Sequence, residues 1–183
     1  ARLIRNKEYD MVITGGSEEA NWLNALGFDA MKALSRKYNN VPETASRPFD
    51  KSRDGFVLAG GAGILILESE QSVKARGVSP KGFISGIGAN SNATNMVSPD
   101  SDSSSAVMRM AIEDAGLSIS DIGYLNTHGT ATPVGDPVEM GGVKKLFGKN
   151  AGDVLINSTK SWPKDTIVSV KQEGHPFGWP SYY

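Results

Sequence analysis

The chain has 183 residues, of which 39% are hydrophobic and 21% charged, and its 19 basic and 20 acidic side chains give a formal net charge of -1. That is an ordinary globular composition for one domain or a piece of a larger one, and it lacks the clustered positive charge of a nucleic-acid-binding surface. No run nears the ~20 apolar residues of a membrane span, the opening ARLIRNKEY has no apolar segment of the signal-peptide kind, and the absence of cysteine excludes disulfides and thiolate metal sites. A cytosolic protein with no metal and no cofactor is the expectation.

Taken in order, Asp10–Thr14 (DMVIT) is a short apolar run ending at Gly15-Gly16, which predicts a buried strand and then a turn. Ser17 suits a helix N-cap with Glu18 and Glu19 at the positive end, and the helix is expected to stop about Leu26, before Gly27. Ala30–Leu34 reads as another short helical turn. Asn39–Asp50 holds two prolines and several turn formers, so an ordered loop is expected. Gly63–Glu68 (GILILE) is nearly all apolar, as a strand covered on both faces would be. Ser69–Arg76 is helix-competent and ends at Gly77, and Gly82–Ala89 is a glycine-punctuated strand candidate. Asn90–Ser105, rich in Asn, Ser, Asp and Thr, predicts a long surface loop. Ala106–Ala115 has helical spacing and ends at Gly116. Asp121–Thr127 is a predicted strand broken by His128-Gly129. Val138–Phe147 is a predicted helix ending at Gly148, and Val154–Asn157 a last short strand. Alternating strands and helices favour an α/β class with layered sheets. From Ser161 the texture changes, with two Trp-Pro pairs and a terminal Tyr-Tyr.

Chemistry is sparse. Of the two histidines, His128 follows a strand in HGTATPVGDPVE, where a strand end and glycine turn aim a side chain into a cleft. Thr130, Thr132, Asp136 and Glu139 lie beside it. Lys160 follows the next short strand in NSTKS. An imidazole and an ammonium at neighbouring strand ends can stabilise an anion or tune proton transfer. A histidine at a strand end is ordinarily a hydrogen-bonding turn residue, and a lysine there a solvated cation, so local pattern leaves both readings open. Gly60-Gly61-Ala62-Gly63 lacks a GxGxxG or GKS/T pattern, and close backbone packing accounts for it better than phosphate binding. The histidines, without cysteine, do not make a metal set.

Four segments together carry a family resemblance: DMVITGGSEEA, PETASRPFDKSRDGFVLAGGAG (Pro42–Gly63), YLNTHGTATPVGDPVE (Tyr124–Glu139) and NSTKS. In this order and spacing they resemble β-ketoacyl-acyl-carrier-protein synthases, and Ala59-Gly60-Gly61 resembles the synthase I subgroup. The resemblance covers residues 1 to about 161. It implies a thiolase-like layered α-β-α-β-α fold, here incomplete, with residues 1–160 spanning the end of one half and the start of the other, and 161–183 a divergent tail. It implies a homodimer or a full-length partner, an acyl carrier protein as substrate bearer, and decarboxylative Claisen condensation in fatty-acid biosynthesis. His128 resembles the histidine that assists decarboxylation, and Lys160 the active-site lysine. Glu139 resembles the acid that holds that lysine or an adjacent ion. Thr130 and Thr132 resemble hydroxyls lining the pantetheine tunnel, and Phe28 and Phe56 walls of the acyl pocket, where alkyl burial brings ~0.8 kcal/mol per methylene.

The sequence departs from the family in three places. The family's cysteine nucleophile would fall just before Ala1, and no thiolate is present to form an acyl-enzyme. The family's second histidine would fall at Asp165, whereas Gly174-His175-Pro176 sits ten residues later, and unrelated tail sequence is the favoured account. Asn24 stands where the family has an apolar pocket residue, at a cost unless it is hydrogen-bonded. The expectation is therefore a truncated synthase, inactive alone in condensation. The alternatives are a non-catalytic module that binds carrier protein, or a residual malonyl decarboxylase using His128 and Lys160. Exposed apolar strands such as Gly63–Leu67 predict aggregation or dependence on a partner.

Overall fold

A computed structural model describes residues 1–93 and 98–161. The element order is α1 (Arg2–Arg5), β1 (Met11–Glu18), α2 (Trp22–Ala30), β2 (Gly61–Glu68), α3 (Glu70–Arg76), α4 (Ser101–Asp114), β3 (Tyr124–Asn126), α5 (Gly135–Phe147) and β4 (Leu155–Asn157), with short 3-10 turns between. The alternation gives the expected α/β class.

β1 and β2 pair antiparallel from Met11↔Glu68 to Glu18↔Gly61. The expected turn at Gly15-Gly16 is absent, because both glycines lie inside the ladder. A Cβ at Gly15 would run into the carbonyl oxygen of Gly63 and the backbone of Ile64, so the glycine permits a close strand pairing rather than a reversal. The expected cover of β2 is also absent among the described residues. Ile64, Leu65 and Ile66 are 67%, 63% and 63% exposed. Successive strand residues point to opposite faces, so both faces are open.

Helix α2 corrects a second expectation. Ser17 is in β1, and the N-cap is Asn21, whose side chain accepts the Asn24 N–H at 3.0 Å. The helix runs on through Gly27 to Ala30. Ala30–Leu34 forms no further helix; instead Leu34 makes a parallel bridge with Phe56. Asn39–Asp50 is the expected ordered loop, with one 3-10 turn at Pro42–Thr44. Helix α3 is as read, capped by Ser69, whose side chain accepts the Ser72 N–H, and stopped at Gly77 in the left-handed region with φ 65°.

Gly82–Ala89 is not a strand. It lies against α4, where a Cβ at Gly88 would strike the Val107 carbonyl. The glycines here serve close packing on a helix. Helix α4 begins at Ser101, inside the expected loop, because Asp100 caps it by accepting the Ser103 N–H at 2.7 Å, a cap that contributes about 1 kcal/mol. The side-chain hydrogen bond from Arg5 then ties α1 to the last turn of α4 at Asp114, at 2.7 and 2.8 Å.

β3, α5 and β4 form a parallel β-α-β unit, with Tyr124↔Leu155 and Asn126↔Asn157 in register. α5 packs on α4 over Ile112, Val143, Leu146, Phe147, Val154 and Ile156, with Met108, Leu125 and Met140 at its edge. Each such side chain, fully buried, contributes about 1.5–3 kcal/mol. This core holds the carboxyl ends of β3 and β4 side by side, where α/β folds build their sites.

Candidate functional site

His128 and Gly129 follow β3, and Ser158 to Lys160 follow β4. The ladder closes with the Thr127 N–H on the Asn157 carbonyl at 2.8 Å. Beyond it the β3 tip is held by Glu139 from α5. One carboxylate oxygen accepts the His128 N–H at 2.7 Å and the other accepts the Gly129 N–H at 2.9 Å. Both oxygens thus hold backbone, and no ion pair joins Glu139 to Lys160 among the described residues. His128 and Lys160 are both exposed. The Lys160 N–H is 3.3 Å from Ser158 Oγ, and that hydroxyl donates to the Gly129 carbonyl at 2.8 Å.

Past the tip the chain turns back through Thr130–Pro133. Thr130 and Thr132 lie Oγ1 to Oγ1 at 3.0 Å, and Thr132 Oγ1 accepts the Gly135 N–H at the start of α5. Ala131 between them is fully buried, with a positive φ of 64°, an uncommon conformation for a residue with a Cβ.

This turn is locked to the segment after the two prolines. The Gly55 N–H donates to the Ala131 carbonyl at 3.1 Å. Arg53 Nε donates to the Thr132 carbonyl, and Nη2 to the Pro133 carbonyl, each at 3.0 Å. Asp136, 2% exposed, accepts the Phe49 N–H on Oδ2 at 2.7 Å. Arg53 Nε lies 3.7 Å from the same oxygen, and Oδ1 has no partner. Phe49, Arg53, Asp136, Pro137, Met140 and Ile156 line a cavity of about 290 Å³ here. Phe56 leads from this segment to Phe28 on α2, the two rings meeting edge-to-face at 5.0 Å and 82°. Asn24, four residues earlier on α2, has its amide satisfied by the Glu19 carbonyl at 3.2 Å, which removes the cost of a bare polar group there.

The candidate residues thus fall into groups that touch. Phe28 meets Phe56, Thr130 meets Thr132, Glu139 holds the His128 backbone, and Lys160 reaches that backbone through Ser158. His175 and Asp165 lie outside the described residues. Ser158 and Arg53 carry internal bonds of the site without standing out in sequence, whereas Asp136 stands there only as a member of the polar run beside His128. The one signal for Asp136 is its place beside Pro133 and Gly135 in the same motif as His128.

Residues 1–73 match the family described as Beta-ketoacyl synthase, N-terminal domain, and residues 81–162 match Beta-ketoacyl synthase, C-terminal domain. The chain is 45% identical over 165 residues to 3-oxoacyl-[acyl-carrier-protein] synthase 2 of Vibrio cholerae, covering 88% of this chain and 40% of that protein. It is 43% identical over 187 residues to 3-oxoacyl-[acyl-carrier-protein] synthase 1 of Escherichia coli, covering 97% of this chain and 45% of that one. Relatives of both synthase kinds therefore match about equally, and the chain spans less than half of their length. Among solved structures, a Beta-ketoacyl synthase from Burkholderia phymatum superposes with a TM-score of 0.83 at 35% identity, over 87% of this chain and 38% of that one. The ketosynthase of a type II PKS acyl-carrier protein complex gives 0.83 at 34% identity, over 87% and 40%. With thiolase-like neighbours over most of its length and both family domains matched in order, the chain belongs to the β-ketoacyl synthase family.

Proposed function

We propose that this region supplies the decarboxylating and anion-stabilising part of a condensing site of fatty-acid synthesis, taking malonyl thioester from an acyl carrier protein. The observation that supports it is the pairing of two parallel strand ends that carry His128 and Lys160 and share one hydroxyl. The carbon–carbon bond to the malonyl carboxylate breaks, carbon dioxide leaves, and the bond's electron pair becomes an enolate on the thioester, which takes a proton from water to give acetyl thioester where no acyl acceptor is present. His128 donates a hydrogen bond to the enolate oxygen, and the Lys160 ammonium opposes the developing charge. A group worth 10²–10³ in rate acts in this way. Glu139 sets the His128 backbone. Thr130 and Thr132 face the pantetheine arm, and Phe28 with Phe56 walls the alkyl chain.

Condensation further requires an acyl group on a nucleophile, which this reading assigns to a cysteine. The 183 residues contain none. We assign them the decarboxylation step. A full-length partner whose chain carries that thiol supplies the acyl group, and residues from 161 onward form a divergent tail. The missing thiol equally supports a module that binds carrier protein without chemistry.

Malonyl carrier protein separates the readings. Release of carbon dioxide without condensed product, abolished by His128→Ala, is expected. Condensed product from this chain alone overturns the division of labour. Carrier binding with no carbon dioxide favours the binding module.

A further inference from the structure

Beyond the last ladder bond, nothing in a parallel strand pair obliges the two tips to stay in step. Here a buried hydroxyl spans them. Ser158 is 3% exposed. Its Oγ donates to the Gly129 carbonyl at 2.8 Å, lies 3.4 Å from the His128 carbonyl, and accepts the Lys160 N–H at 3.3 Å. A hydroxyl has one proton to give and two lone pairs to receive with. This one directs its donor to the β3 tip and an acceptor to the β4 tip. The fit leaves no slack on the β3 side. Gly129 has a positive φ of 43°, and a Cβ there would strike Ser158 Cβ and Oγ. Thr127 Oγ1 adds a bond to the Asn157 carbonyl at 2.9 Å, one step below the Ser158 bridge.

We propose that Ser158 is a positioning residue, fixing the distance between the His128 imidazole and the Lys160 ammonium by holding the backbone of both through one hydroxyl. Its value for the reaction rests on the reading given under Proposed function; the bridge itself does not. Misplacing a reacting group by about 1 Å costs on the order of 10²-fold in rate, so a device that sets the spacing of two groups acts on kcat and not on binding of the pantetheine arm.

The test uses the chain itself with Ser158→Ala and Ser158→Thr. Amide hydrogen exchange is followed by NMR at Lys160, with Thr127 and Leu155 as reporters of the strand ladder. In Ser158→Ala, exchange at Lys160 is expected to rise about tenfold, as for one lost hydrogen bond, while Thr127 and Leu155 hold within twofold of the parent, a margin of about 0.4 kcal/mol. Ser158→Thr, which keeps the hydroxyl, is expected to restore Lys160. In the malonyl assay, kcat is expected to fall at least tenfold in the alanine variant with KM within a factor of about two, and to recover in the threonine variant. Unchanged exchange at Lys160 overturns the bridge. Equal acceleration at Thr127 and Leu155 overturns the positioning role and leaves a strand-stability role. If the parent releases no carbon dioxide, the reading of the site fails, and the exchange result still decides the bridge.

Discussion

Glu139 places both carboxylate oxygens on consecutive backbone N–H groups at a strand tip, and each such bond to a charged acceptor is of the stronger kind, about 1.5–3 kcal/mol. Glu139→Gln turns one acceptor into an amide donor facing another donor. Stability is expected to fall by about 1–3 kcal/mol, read as a lower urea midpoint at unchanged slope. An unchanged midpoint would mean that the carboxylate does not clamp the tip. The carboxylate was legible in sequence as part of the motif with His128, but its partner was not. The bonded N–H lies eleven residues away across a turn, and periodicity does not report what a helix carries back to a strand end. Asp136 shows the same limit over a longer path. Its bond to the Phe49 N–H spans 87 residues, so only the tertiary arrangement reveals that the two signature loops are held by one buried carboxylate. Phe49 itself sits at a φ of 64°, a conformation that few non-glycine residues adopt without such support.

Elements with local signals were readable to their ends, whereas the four strands were found from their apolar runs but their extent and partners were not. Helix α3 has a Ser N-cap, Glu70 in its first turn, Lys74 and Arg76 in its last and a glycine stop, and each of these acts within a turn of chain. Strand β1 depends on β2, some fifty residues on, so its passage through Gly15 and Gly16 was invisible until the pairing was known. The start of α4 was hidden because Ser101–Ser105 reads as loop, whereas Asp100 caps the helix and those serines form its first turns. Its far end depends on electrostatics between elements. The Arg5 guanidinium, then the Ile87 N–H, hold the Asp114 carboxyl below the usual range, outweighing burial. A carboxyl lowered in the folded state favours folding above its unfolded pKa of about 3.9, and the contribution is lost as pH falls through the lowered value. Arg5→Met is therefore expected to be destabilising at neutral pH, and its difference from the parent to shrink below about pH 4. Urea midpoints measured from pH 7 to 3 check this, and a difference that stays constant with pH would count against the Arg5–Asp114 pairing.

At the scale of the molecule, the buried core among the described residues does not include the β1–β2 pair. The buried cluster joins α4, α5 and β4, whereas β1 and β2 present Ile13, Ile64 and Ile66 on one face and Leu65 on the other, all more than 60% exposed. Van der Waals cover on both sides is what a run such as GILIL requires, and the structural neighbours have more than half of their chain beyond the part matched here. A patch of this kind associates with whatever apolar surface is available. The chain at working concentration is therefore expected to bind a hydrophobic dye and to elute as concentration-dependent oligomers. Ile64→Lys combined with Ile66→Glu places opposite charges on one strand face. Because these side chains have little packing to lose inside the chain, the urea midpoint is expected to hold within about 0.5 kcal/mol of the parent's stability, while dye binding and oligomers decrease. A large loss of stability would show that the face is packed within the chain, and a parent that is monodisperse and dye-silent would show that the strand pair is covered. Either result moves the explanation for this apolar run away from intermolecular contact and back to the fold itself.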